Sequence, residues 1–116
     1  MANTDLRNVR TTEPRLLTLI VPPRGRRFLA VHVPAMLRSE IDVARARGDA
    51  AVVGLLEAVA EVVATHELQR VQDFGMTLHM GLADDGEELR RVSTEPDHDR
   101  DGGSVFLLDR KFHGIE

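Results

Sequence analysis

Residues 49–68, DAAVVGLLEAVAEVVATHEL, are the stretch on which the fold turns. Apolar residues at Val52, Val53, Leu55, Leu56, Val59, Val62 and Val63 wrap more than half of a helix of 3.6-residue period. Gly54, Glu57, Glu61 and Thr65 leave only a narrow stripe for water. Asp49 is a natural N-cap, its carboxylate accepting from free N–H groups of the first turn. A helix this apolar has to be covered on nearly all sides, so the rest of the chain must wrap around it.

Immediately upstream, Gly48 suits the left-handed position that ends a preceding helix. Residues 35–47 supply that helix, with Leu37, Ile41 and Ala44 along one face and Pro34 opening it. The two helices therefore form a tight hairpin. Further back, Leu16 to Val21 is a short β-rich run stopped by Pro22-Pro23. Residues 28–33 (FLAVHV) alternate, which predicts a returning strand and a β-hairpin with Arg24-Gly25-Arg26-Arg27 at its tip. Residues 1–14 read as a polar, flexible leader without an apolar signal core, ahead of a single domain at 15–116.

Downstream of 69–73 the period changes to two. Met76, Leu78, Met80 and Leu82 alternate with Thr77, His79, Gly81 and Ala83. Asp84-Asp85-Gly86 reads as a hairpin turn. Residues 87–94 return as a polar strand with a bulge, because Leu89 and Val92 are three apart. Residues 105–112 form the last strand. The expected class is α+β in the order ββααβββ, an antiparallel sheet with the helical hairpin on one face.

Composition bounds the function. At 116 residues, with 42% hydrophobic and 29% charged residues, the chain is an ordinary globular domain. The absence of cysteine removes disulfides and thiolate chemistry and fits a cytoplasmic setting, and no window reaches the length of a membrane span. Without Trp or Tyr, and with four Phe, the chain lacks base-stacking platforms, so nucleic acid is not the expected partner. No GxSxG, P-loop or GxGxxG is present, and Ser39, Ser93 and Ser104 have no activating context.

Three constellations carry chemistry. Residues 1–47 hold a net charge of +5 and residues 48–116 a net of −9, and Arg24, Arg26 and Arg27 concentrate the positive charge. Guanidinium forks pair bidentately with carboxylate and phosphate, so these three form a candidate site for an anion or partner. The simpler expectation is that the two halves attract each other inside the fold. Asp97, Asp99 and Asp101, followed by Gly102, resemble the first half of an EF-hand calcium loop, but Leu108 stands where the bidentate Glu belongs. His32 and His79, expected to face away from the helices on neighbouring strands, could form a metal or acid/base site with Asp73 or Asp109. Glu57 and Glu61 read as a solvated stripe rather than paired catalytic carboxylates.

The reading that results is a binding or regulatory protein acting through protein–protein contacts: an adaptor, immunity-type inhibitor or accessory subunit. The alternatives are a small metal-dependent or acid/base enzyme and a calcium-binding module. A homodimer is expected, because one partner helix and one sheet do not cover every apolar face of residues 49–68.

Overall fold

The computed structural model describes residues 5–94 and 103–115. Strand β1 (Leu16–Val21) is followed by helices α1 (Val33–Ala46), α2 (Ala50–Thr65) and α3 (Leu68–Phe74). Strands β2 (Met76–Leu82), β3 (Glu88–Ser93) and β4 (Val105–Asp109) complete the fold. The sheet order is β3-β2-β1-β4, antiparallel throughout. This is an α+β fold with a helical hairpin packed on one sheet face.

The hairpin is built as its sequence implies. Gly48 has φ 73° and donates to Arg45 O, while Asp49 N–H reaches Ala44 O at 2.9 Å, a Schellman closure of α1. The Asp49 carboxylate then accepts from Val52 N at 3.2 Å and caps α2. One residue thus closes one helix and opens the next. Val52, Leu55, Leu56, Val59 and Val63 are buried, whereas Gly54, Glu57, Glu61 and Thr65 are exposed. Helix α2 stops at Thr65, short of residue 68, because His66 turns extended; α3 follows, with Val71 its buried anchor.

Residues 28–33 are helical, not a strand, so the first β-hairpin of the expected ββααβββ order does not form. Leu29, Val33 and Leu37 are all buried at intervals of four, while Val31 is 54% exposed. Six residues satisfy either period; the continuation to Leu37 shows that the helical one governs. Helical structure begins at Arg26, and Leu29 N–H bonds to Gly25 O at 3.1 Å. Pro34 therefore lies inside a longer helical run. It cannot donate to the carbonyl four residues back and would clash with it. The chain widens into a π turn over Phe28–His32, with Val33 N–H reaching Phe28 O.

Every residue of β1 is buried, and both its faces carry a core. On the helix side Leu17, Leu19 and Val21 stand opposite Met80, Leu78 and Met76, joined by Leu29, Leu56 and Val59. This is the core face expected for Met76, Leu78 and Met80, with Leu82 half-buried at its margin. On the other face Leu16 clusters with Leu6, Leu89 and Phe112. The chain ends make that cover. Thr11 N–H donates to Arg110 O at 2.8 Å, Arg10 bridges Lys111, and Thr12 bonds Asp84 Oδ1 through its N–H and its hydroxyl. Residues 5–14, expected as a flexible leader, are laid against the sheet from Asp5 onward, with Leu6 only 4% exposed.

This second core also removes the expected bulge in β3. Leu89 pairs Gly81 and faces the Leu16 cluster, while Val92 pairs Leu78 and packs against the helix-side core. Two residues three apart fall on opposite faces of a regular strand, and both faces are apolar. Strand β4 ends at Asp109 rather than at 112, because the chain turns there to lay Phe112 over the sheet.

Val59 is fully buried at the centre of α2. A Val59→Asp substitution places an unpaired charge there, costing on the order of several kcal/mol, a large part of a typical domain's stability. It should abolish the cooperative thermal transition seen by circular dichroism, whereas Glu57→Ala on the exposed stripe should leave it nearly unchanged.

Candidate functional site

Arg24, Arg26 and Arg27 occupy the corner between β1 and the helical run, not the tip of a β-hairpin. Pro22-Pro23 end the strand, and Gly25 N–H closes a tight turn onto Pro22 O at 3.0 Å. A Cβ on Gly25 would sit 2.5 Å from Val21 Cγ1 and 2.8 Å from Pro22 O, so only glycine fits there without a shift. Beneath the corner Gly75, at φ 79°, ends α3; a Cβ there would lie 2.7 Å from Val21 O. Arg24 adopts a left-handed φ of 70°, and its N–H is held by Gln72 O at 2.8 Å. The corner is thus tied to the end of α3 by close packing and a backbone bond.

All three side chains are exposed, and none forms an ion pair among the described residues. Among the described residues, no pairing of the basic and acidic halves reaches this corner. Arg7, Arg15 and Arg47 pair with acids two residues away, and Arg45–Glu57, at 3.5 Å, joins two exposed side chains. The partial positive charge of a helix start adds to the field of the three guanidiniums. The corner presents three exposed guanidiniums, unpaired among the described residues, on a chain of net charge −4.

The candidate histidine site does not assemble. His32 is exposed at the end of the π turn, in the helical layer. His79 is 2% exposed on the opposite sheet face, its ring 5.4 Å from that of Phe112 in an edge-on contact. Asp73 lies on α3, accepting from Gln69 Nε2 at 3.0 Å. Asp109 belongs to β4 and meets His113 Nε2 at 2.7 Å. The strand expected to carry His32 is a helix, and that difference separates the two imidazoles by the thickness of the sheet. Among the described residues no three His, Asp or Glu side chains gather as a metal site needs. Asp97, Asp99 and Asp101, the candidate calcium ligands, lie outside the described residues.

A smaller network forms instead at the second core. Thr18 Oγ1 accepts from His113 N–H at 3.1 Å and meets His79 Nδ1 at 3.3 Å. Burial, with Arg91 nearby, pushes the His79 imidazole down from 6.5 to about 4, so the ring is neutral near pH 7. The Arg110 backbone N–H and then the His113 ring hold the Asp109 carboxyl below the usual carboxylate range. His79 and Thr18 are sealed from solvent, so this network joins the tail to the sheet rather than presenting a reactive group.

One further surface escaped the sequence reading. A groove of about 360 Å³ runs between α1 and α2, floored by Leu37, Ile41, Ala60 and Val63 and rimmed by Arg38, Asp42 and Arg45. Its signal lay in the spacing of 34, 38, 41 and 45 along one helical face, which the apolar stripe of 37, 41 and 44 had absorbed.

The neutral His79 has a consequence for acid stability. An unfolded histidine takes up its proton near pH 6.5 and the folded one only near 4, so the unfolded state holds more protons between those values. This contribution to stability is complete above the upper value and is lost as pH falls through the window, on the order of 2 kcal/mol by pH 4.5. His66, lowered chiefly by burial, acts in the same direction. Urea unfolding across this range should show falling stability, and His79→Gln should make the dependence markedly shallower.

No family model matches the chain, and no curated protein matches it. Among the described residues no helix is long and apolar enough to cross a membrane. Among solved structures the chain is similar to one described as "Archaeal protein", with a TM-score of 0.67 over 92% of this chain at 20% identity. The chain spans 30% of that protein's length, and a likeness at this identity shows the fold alone.

Proposed function

We propose that this chain works by binding: a small regulatory or accessory protein whose corner of Arg24, Arg26 and Arg27 engages an acidic surface on a protein partner. The observation that carries this reading is that three exposed guanidiniums, on a corner held by Gly25 and Gly75, form no ion pair among the described residues. Charge held ready in this way speeds encounter and selects for complementary partners. A protein partner is favoured over nucleic acid because Phe28, the aromatic beside the arginines, is half-buried against the core, and the chain as a whole is acidic. The lack of cysteine is in keeping with a cytoplasmic setting. That the same fold makes up about a third of a longer chain is in keeping with a module that works against other domains.

Changing all three arginines to Ser tests the reading. Surface changes away from packing alter stability by about 0.5 kcal/mol or less, so the melting temperature should hold. Capture of protein partners from a native extract should fall by about tenfold, and for the parent it should weaken steeply with added salt. Equal capture by the triple variant, or loss of the captured material on nuclease treatment, would overturn the proposal.

A further inference from the structure

The groove between α1 and α2 carries two opposite charges that are unpaired among the described residues. Arg38 and Asp42 stand one helical turn apart on its rim, both exposed, and neither forms an ion pair among the described residues. Their order along α1, base before acid, is the less favourable one for pairing within a helix. Arg45, the next charge on that rim, is engaged by Glu57. Between these charges the floor is apolar, and Ala60 and Ala64 keep the α2 wall low.

An occupant of this groove has to offer an acid and a base one turn apart over an apolar strip. A uniformly acidic or basic segment would set like charge against Asp42 or Arg38, which costs binding. The exposed face of α1 itself meets the requirement. We infer that the groove is a self-association surface, on which α1 of a second copy lies antiparallel about a twofold axis. With the axis crossing the groove face at the level of residue 40, Arg38 faces the partner's Asp42, and Asp42 faces the partner's Arg38. A single self-complementary patch satisfies both chains, which is the isologous arrangement of most soluble dimers. Ile41, half-buried in the free chain, comes to lie close to the axis. The two arginine corners fall at the outer ends of the paired helices, about 20 Å from the axis and on the order of 40 Å apart.

This contact uses a face other than the arginine corner, so the two readings fail separately. Sedimentation equilibrium of the full chain across the micromolar range should show a concentration-dependent monomer–dimer equilibrium. Arg38→Asp and Asp42→Arg should each weaken it by tenfold or more, with unchanged circular dichroism melts. The two variants mixed in equal amounts should form a heterodimer, because two acids at positions 38 and 42 then meet two bases, and the double exchange R38D/D42R should restore self-association. The milder pair Arg38→Gln and Asp42→Asn should weaken the dimer in the same order should either reversal perturb folding. A parent chain that stays monomeric throughout, a dimer insensitive to these changes, or mixed variants that ignore each other would each overturn the inference.

Discussion

β1 is a strand with no free side. It is bonded to β2 along one edge and to β4 along the other, with Leu17 and Leu19 packed under the helices and Leu16 and Ile20 buried on the far face. A strand in that position needs two layers of cover, and the helical hairpin supplies one of them. The second layer is assembled from what remains: the segment before β1 and the segment after β4, meeting through Thr11 and Arg110. Thr18 shows how the two layers are joined. It is the polar residue of an otherwise apolar strand, and its hydroxyl ties the tail to the sheet through His113. The neutrality of His79 follows from the same closure, since a protonated imidazole under Phe112 would lose its hydration and face the like charge of Arg91.

The parts of the fold that were legible in the sequence are those where many residues repeat one period. Sixteen residues of α2 carry a continuous apolar wrap, and seven of β2 alternate without a break, so both form where their periods place them, α2 ending short of residue 68. Residues 28–33 were too few to choose between periods, and the deciding residue, Leu37, lay beyond Pro34, which looked like a boundary. The second core was illegible for another reason. Leu6 and Phe112 are isolated apolar residues among polar neighbours, and no periodicity marks a residue that contributes alone. The same gap misplaced the spacing of Leu89 and Val92, which makes sense only once both faces of β3 are known to be covered. Gly81 and the sheet around it are closed by the chain itself.

The candidate site divides in a similar way. That Arg24, Arg26 and Arg27 would be exposed could be read from composition alone. Their setting could not, because it depends on Gly75, fifty residues away in sequence, passing under Val21 O. The histidine pairing failed with the strand that was to carry His32. The two surfaces that remain, a cationic corner and a groove of mixed charge, lie along one helical run from Arg26 to Ala46.

That run is not a uniform rod, and its interruption sets how the two surfaces are aimed. A π turn holds one residue more than an α turn, and each residue of a helix advances the direction of a side chain by about 100°. The arginines before Phe28–His32 are therefore rotated by roughly a quarter turn relative to Arg38, compared with an unbroken helix. Pro34 carries no charge of its own, yet it is the residue that demands the wider turn. It acts as a phase setting between the two surfaces. A chain that closed the turn with an ordinary residue at that position could keep every contacting side chain and still point its arginines in another direction.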